Sequence, residues 1–366
     1  MVTYVGTARI RELLARQGTP VFIEELARDI ERDYQRWSEF EKSARLASHS
    51  PDGVIELMPI SDGRLYAFKY VNGHPKNTAR RLLTVTAFGA LADVATGYPL
   101  LLSEMTVVTA LRTAAVSALA ACGMARPASR VMALIGNGAQ SEFQAIAFHR
   151  LLGIRELRLF DTDRNAMHKL FGNLAAMRLP GLAVTRCAST AEAVRGADIV
   201  TTATADKRNA TILTPDMIVP GMHLNAIGGD CPGKTELHVD ILRRDDARIV
   251  VEFEPQARIE GEIQQLRATA PVIELSDVLS GKQPGRRSDA DVTIFDSVGF
   301  ALNDFSALCY LQRLEAAQSD SQELDLIPRL DDPKNLFAAL REPATLPQPV
   351  ALREPATRRP TLTGVA

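Results

Sequence analysis

The feature that most constrains this chain is the run Val131-Met132-Ala133-Leu134-Ile135-Gly136-Asn137-Gly138-Ala139-Gln140-Ser141, in which five apolar residues break at two glycines. An unbroken apolar run predicts a strand covered on both faces, and the spacing over 142–152 predicts a helix. A turn without Cβ atoms at Gly136 and Gly138 lets backbone amides and a helix N-terminus approach a pyrophosphate. Ser141 takes the third position, normally Gly or Ala, and is small enough for helix to pack on strand. A tight turn needs glycine with or without a ligand, so context decides. The next apolar run ends in Asp161, 25 residues after Gly136, where a carboxylate can accept both ribose hydroxyls of a dinucleotide. Asp161 would repel a 2′-phosphate and so favours NAD over NADP, while Arg164 nearby can serve that phosphate.

Apolar runs at 131–135, 157–160, 199–202, 222–227, 249–253, 272–275 and 292–295 alternate with helical segments. That rhythm predicts a doubly wound, Rossmann-type parallel sheet. Upstream, Phe22, Leu26, Ile30, Tyr34 and Trp37 have helical spacing. Short runs at 54–58, 66–71, 84–88 and 99–102 follow, punctuated by Pro51-Asp52-Gly53, Ser61-Asp62-Gly63 and Asn72-Gly73. These predict an antiparallel meander. A long Ala-rich helix over 106–125 carries Arg112 near its start, and a further helix is expected over 300–317. With 366 residues, 46% of them hydrophobic, two cores are affordable. The expected organisation is an α+β domain over 1–112, the Rossmann-type domain over 113–317 and a return segment onto the first domain over 318–338. A disordered Pro-rich tail is expected over 339–366, where Ala-Leu-Arg-Glu-Pro-Ala-Thr occurs at 339–345 and again at 351–357.

Forty-two basic against 44 acidic residues, with no long basic block, argue against electrostatic capture of nucleic acid or an anionic membrane. Cys122, Cys187, Cys231 and Cys309 stand far apart and the histidines are scattered, which fits a reducing compartment and gives no metal-site spacing. The first residues lack the apolar core of a signal peptide, and the most apolar stretch is broken by Arg112. The expectation is a cytoplasmic protein whose partners are small molecules and other subunits.

Two groups of residues carry candidate chemistry. The loop Asn225-Ala226-Ile227-Gly228-Gly229-Asp230-Cys231-Pro232-Gly233-Lys234 follows a strand, at the carboxyl ends where open α/β sheets bind ligands. Asp230 is either an ordinary loop acid or a proton-transfer group held beside a cofactor by Ile227, Gly228 and Gly229. Thr202 and Thr204 either contact the cofactor riboses or simply close a strand. Arg45, Lys69 and Arg112 each stand among apolar or small neighbours, where charges seldom enter unpaired. They serve either internal ion pairs, with Glu56 as one partner, or a substrate carboxylate gripped in two bonds by an arginine fork.

Ser43-Ala44-Arg45, the run from Gly53 to Pro59, Phe68-Lys69-Tyr70-Val71-Asn72-Gly73-His74-Pro75, Ala110-Leu111-Arg112-Thr113, the Gly136-Asn137-Gly138 turn and Gly228-Gly229-Asp230-Cys231-Pro232-Gly233-Lys234-Thr235-Glu236-Leu237 together resemble the ornithine cyclodeaminase and mu-crystallin family. The resemblance covers nearly the whole chain except the tail. It implies that Arg45, Lys69 and Arg112 hold an amino-acid carboxylate, that Asp230 is the acid/base, and that Val298 lines the substrate with Glu56 near its amines. It implies that Thr84, Ala139, Gln140, Asp161, Thr204, Lys234 and Ser297 contact NAD. The implied reaction turns L-ornithine into L-proline and ammonia. Hydride passes transiently to NAD, the imine cyclises, and the hydride returns. A homodimer through the strand-rich first domain is implied as well. A ketimine reductase, an amino-acid dehydrogenase, a lysine cyclodeaminase and a non-enzymatic cofactor- or hormone-binding protein of the mu-crystallin kind are the competing expectations.

Overall fold

The computed structural model of the chain describes residues 1–205 and 210–340, so most of the expected tail, including the second copy of its repeat, lies outside the described residues. The chain opens with β1 (Val2–Val5), α1 (Thr7–Gln17) and α2 (Thr19–Gln35), whose Phe22, Leu26, Ile30 and Tyr34 are fully buried. Then come β2 (Leu46–Ser50), β3 (Gly53–Ser61), β4 (Leu65–Gly73), β5 (Ala87–Asp93) and β6 (Pro99–Glu104), the antiparallel meander that the turn signals predict. One strand starts later than expected. Thr84 to Thr86 stay outside β5 because the Asn72 side chain donates to the Thr84 carbonyl and accepts the Thr86 amide.

After α3 (Thr106–Met124) the alternation begins with β7 (Val131–Ile135), α4 (Ser141–Leu152), β8 (Glu156–Phe160), α5 (Arg164–Met177), β9 (Ala183–Arg186), α6 (Thr190–Val194) and β10 (Ile199–Thr202). It continues with β11 (His223–Ala226), α7 (Val239–Leu242), β12 (Ala247–Val251), α8 (Glu254–Glu260), β13 (Ile273–Glu274), α9 (Leu275–Leu279), β14 (Val292–Asp296), α10 (Ala301–Ala316) and β15 (Gln322–Leu324). The first sheet has the order β15-β1-β6-β5-β4-β3-β2 and the second β13-β12-β14-β11-β10-β7-β8-β9. All pairs in the second are parallel. The fold is the expected doubly wound α/β sheet joined to an α+β part.

The expected boundary at 112/113 falls inside α3. This helix is buried along most of its length, and it packs on α2, α4 and α10 and reaches β14 and β11. It is long and apolar enough to cross a membrane, yet 67% of that stretch is buried within the fold. Residues 1–324 therefore form one compact unit with two sheets, and the chain from Asp325 clusters separately. Within the expected return segment, Gln322–Leu324 pairs antiparallel with β1. Residues 339 and 340, expected in the tail, belong to a short 3-10 turn, Leu336–Leu340.

Alternation along the first sheet sorts its side chains. Val54, Glu56, Met58 and Ile60 on β3 and Ala67, Lys69 and Val71 on β4 are buried, on the side where α10 packs. Glu56 and Lys69 thus enter the interior by strand geometry alone. The other face carries Ile55, Leu57, Tyr66 and Phe88, all exposed.

Candidate active site

β7 and β10 are neighbours, Ile135 opposite Thr202, and the chain leaves β7 toward β8 on one side and resumes at β10 on the other. Such a switch point is where doubly wound sheets open a crevice. Gly136 has φ +88, and a Cβ there would stand 2.6 Å from the Ala203 carbonyl oxygen, so no other residue fits. The Asn137 amide donates to Asp161 Oδ2 at 2.6 Å and the Asp163 amide to Oδ1 at 2.8 Å. Ser141 closes the turn by donating its hydroxyl to the Gly136 carbonyl at 2.9 Å. Gly138 and Ala139, by contrast, are exposed, and a Cβ on Gly138 would meet nothing within 4 Å. Bare backbone at a helix start with a carboxylate beside it fits a dinucleotide: Gly136, Gly138 and Ala139 would face the diphosphate and Asp161 a ribose. Gln140 turns its side chain to the Ala110 carbonyl at 3.0 Å, tying the turn to α3.

The glycine-rich loop after β11 is tied through Glu236 to Thr204, in the loop after β10 whose backbone lies against Gly136. The Thr204 amide, at 2.8 Å, and the Thr204 hydroxyl both donate to Glu236 Oε1, and the Gly228 amide donates to Oε2 at 3.1 Å. A Cβ on Gly228 would collide with that carboxylate. Glu262 in turn accepts the Glu236 amide at 2.6 Å and the Leu237 amide at 3.0 Å; burial, with Asp296 nearby, pushes its carboxyl well above the usual range. Lys234 is buried, donates to the Thr204 carbonyl at 2.9 Å and reaches Asp230 Oδ1 at 3.4 Å. Asp230 itself has 56% of its side chain exposed. The loop is rigidly held, and its acid projects from it.

The basic cluster faces this loop. Arg45 pairs with Glu56 at 3.0 Å and Glu260 at 3.1 Å, and donates to the Val298 and Gly299 carbonyls at 2.6 and 2.7 Å. Burial disfavours its charge, but Glu56, Glu260 and Asp230 outweigh burial and raise its pKa, which places Asp230 within electrostatic reach. Lys69 and Arg112 share Asp304, at 2.8 and 2.9 Å. Burial and then the Arg112 charge lower the Lys69 ammonium to about 7. Arg112 lies against Gly299, where a Cβ would stand 2.9 Å from Nη1. Both readings of the cluster therefore have a basis: each cation has an internal carboxylate, and the buried Arg112 Nη1 has no hydrogen-bond partner among the described residues.

The structure thus brings Gly136, Gly138, Ala139, Asp161, Thr204, Gly228, Lys234 and Asp230 together on one side, and Arg45, Glu56, Lys69, Arg112 and Val298 on the other. Ile227 and Gly229 belong to the same loop, and the Ile227 amide donates to the Thr202 carbonyl at 3.0 Å. Thr202 is buried, its hydroxyl without a hydrogen-bond partner, and Ser297 donates to Glu252 at 3.2 Å. Thr84 sits in the loop before β5, where its carbonyl accepts from the His74 amide and the Asn72 side chain, and no hydrogen bond among the described residues ties it to this cluster. Glu236, Glu260 and Asp304 were not singled out from sequence, although Asp304 stands in an apolar helical stretch much as Arg112 does.

A sequence model described as the ornithine cyclodeaminase/mu-crystallin family matches residues 12–318. The ornithine cyclodeaminase of Agrobacterium fabrum is 56% identical over 340 residues, covering 93% of this chain and 95% of that protein. A lysine cyclodeaminase solved for its recognition of L-lysine, L-ornithine and L-2,4-diaminobutyric acid superposes with a TM-score of 0.83 at 27% identity, covering 92% of this chain and 99% of that one. An archaeal alanine dehydrogenase dimer with bound NAD superposes with a TM-score of 0.78 at 28% identity, covering 88% and 99%.

Proposed function

The chain belongs to the ornithine cyclodeaminase/mu-crystallin family, and on that premise we propose that it converts L-ornithine to L-proline and ammonia, with NAD bound and recycled at the Gly136 turn. The observation that carries this reading is the position of Asp230. It stands on a loop bonded through Lys234 and Glu236 to Thr204, whose backbone lies against Gly136 of the cofactor turn, and within reach of Arg45 in the basic cluster. Bound there, NAD supplies a reversible oxidation at the substrate Cα, lent and returned in one turnover, so the net change is cyclisation with loss of ammonia.

The chain's own residues do the rest. Arg45, Lys69 and Arg112, the last through its Nη1, which has no hydrogen-bond partner among the described residues, hold the substrate carboxylate. Asp230 takes a proton from the α-ammonium, leaving the amine neutral. Asp161 holds a ribose hydroxyl pair, and its carboxylate supports NAD rather than NADP. Fixing carboxylate and cofactor from opposite walls places Cα with the precision such chemistry demands. The likeness to a lysine cyclodeaminase favours one narrower variant, lysine as substrate, since a single methylene changes pocket energy by only ~1 to 3 kcal/mol.

A homodimer belongs to the proposal. Leu46, Leu57, Tyr70 and Phe88 are register partners in one row across the first sheet, and the Tyr70 and Phe88 rings stack at 5.0 Å. An apolar sheet face of this kind suits an isologous contact. The cytoplasmic expectation stays part of the reading, supported by cysteines that form no disulfide among the described residues.

Purified protein given L-ornithine and substoichiometric NAD should release proline and ammonia one to one without build-up of NADH. NADH rising in step with product would instead establish a net dehydrogenase.

A further inference from the structure

Glu252 takes no direct part in the proposed chemistry, yet it is fully buried where β12 ends. Its Oε2 accepts the Gly299 amide at 2.7 Å and the Ser297 hydroxyl at 3.2 Å, and its Oε1 accepts the Asn303 side-chain amide at 2.6 Å. These three donors are neutral. A carboxylate this deep is destabilising unless donors fill its acceptors, and here the donors come from two different elements.

The first element is the turn Ser297-Val298-Gly299 that follows β14. Its Val298 and Gly299 carbonyls accept Arg45 Nη2 at 2.6 and 2.7 Å, and the Gln256 side chain also donates to the Gly299 carbonyl at 2.9 Å. Gly299 has φ +77 and stands against the Arg112 guanidinium, where a Cβ would be 2.9 Å from Nη1. Every side of this glycine is therefore committed: its carbonyl to Arg45, its Cα to Arg112 and its amide to Glu252. The second element is the first turn of α10, which carries Asn303 and, next to it, Asp304, the carboxylate shared by Lys69 and Arg112 at 2.8 and 2.9 Å. Glu252 is thus the joint between the turn that supports Arg45 and the helix that anchors Lys69 and Arg112.

We propose that Glu252 is a positioning residue of the reaction: by tying the Ser297-Gly299 turn to α10 it fixes Arg45 relative to Lys69 and Arg112, and so the seat of the substrate carboxylate, without touching the substrate. Misplacing such a clamp is expensive for the chemistry. Hydrogen-bonding geometry rather than charge carries the effect. A glutamine amide oxygen can accept Gly299 and Ser297 as Oε2 does. Its NH2 can donate to Asn303 once that amide turns, since the buried Asn303 Oδ1 has no hydrogen-bond partner among the described residues. The inference rests on the cyclodeaminase reading for the substrate, but part of its test needs no substrate.

The test compares Glu252→Leu, which keeps the bulk and loses both acceptors, with Glu252→Gln. Three quantities are measured: NADH affinity, the affinity of NADH-loaded protein for L-ornithine, and the emission of Trp37. That is the one tryptophan in the chain, and its ring centroid lies 5.4 Å from that of Phe300, just after the turn. Glu252→Leu should shift the Trp37 emission, weaken ornithine by about 10- to 100-fold, the worth of one charged hydrogen bond, and leave NADH within about threefold. Glu252→Gln should stay within about threefold of the wild type for both ligands, with its emission unshifted. Should Glu252→Leu fail to fold, Asn303→Leu cuts only the bond to α10 and should weaken ornithine by at least about threefold. Ornithine bound at wild-type strength, unmoved emission in Glu252→Leu, equal losses of ornithine and NADH, or Glu252→Gln as weak as Glu252→Leu each overturns the proposal. Proline formation by the wild type, assayed separately, judges the cyclodeaminase reading, and the emission shift stands or falls without it.

Discussion

His223 shows how the burial that shapes the site also sets the protein's pH tolerance. It is fully buried on β11, its Nδ1 is 3.0 Å from the Thr293 hydroxyl, and its Nε2 has no hydrogen-bond partner. Burial, then the Arg286 charge, lowers its pKa to about 3. The unfolded chain takes up this proton near 6.5 and the folded one only near 3, so the stability present above 6.5 is lost as pH falls toward 3. Between pH 7 and pH 5 that loss is about 2 kcal/mol. His223→Gln should narrow the difference between the unfolding free energies obtained from urea melts at those two pH values by about that amount; an undiminished difference would mean that other groups dominate. At this scale the cations were legible in the sequence, because Arg45, Lys69 and Arg112 interrupt apolar neighbours. Their partners were not. Lys69 meets Asp304 across 235 positions, and no local pattern announces a pairing made only when β4 and α10 pack together.

The strand-turn-helix from Val131 to Leu152 is the element read most fully from sequence, and the structure separates the demands on its two glycines. Gly136 is needed by the protein, since φ +88 and the Ala203 carbonyl at 2.6 Å exclude a side chain. Gly138 meets nothing, so its bareness serves the ligand. Gly136→Ala should cost about 1–3 kcal/mol or more and lower the melting temperature. Gly138→Ala should melt like the wild type yet bind NAD at least about tenfold more weakly, the cost of pushing a diphosphate off the amides. If Gly138→Ala bound NAD normally, this turn would not be the diphosphate site. Long apolar strands such as β7 and β14 were predicted nearly to the residue. β1, β9 and β15 were not, for they are three or four residues long and owe their form to neighbours already in place. Thr84 was misplaced because the Asn72 side chain, rather than any strand propensity, decides where β5 begins.

In the whole molecule, the boundary expected at 112 falls inside α3, which keeps Arg112 beside Lys69 of the first sheet through Asp304 and farther along reaches β14 and β11 of the second. The carboxylate clamp and the cofactor turn are thereby held by one helix, with Gln140 bonded to Ala110 two residues before Arg112. The exposed apolar row of the first sheet should mediate dimerisation. Wild-type protein should sediment as a dimer and Leu57→Glu combined with Phe88→Glu as a monomer; a dimer that survives both changes would move the interface elsewhere. In this enzyme the oxidation is lent and returned within a single site. L-Ornithine deuterated at Cα, supplied with unlabelled substoichiometric NAD, tests it most directly. The account predicts L-proline that retains the deuterium at Cα, with one ammonia per proline. Deuterium lost to the cofactor pool, with the oxidised product released, would contradict it.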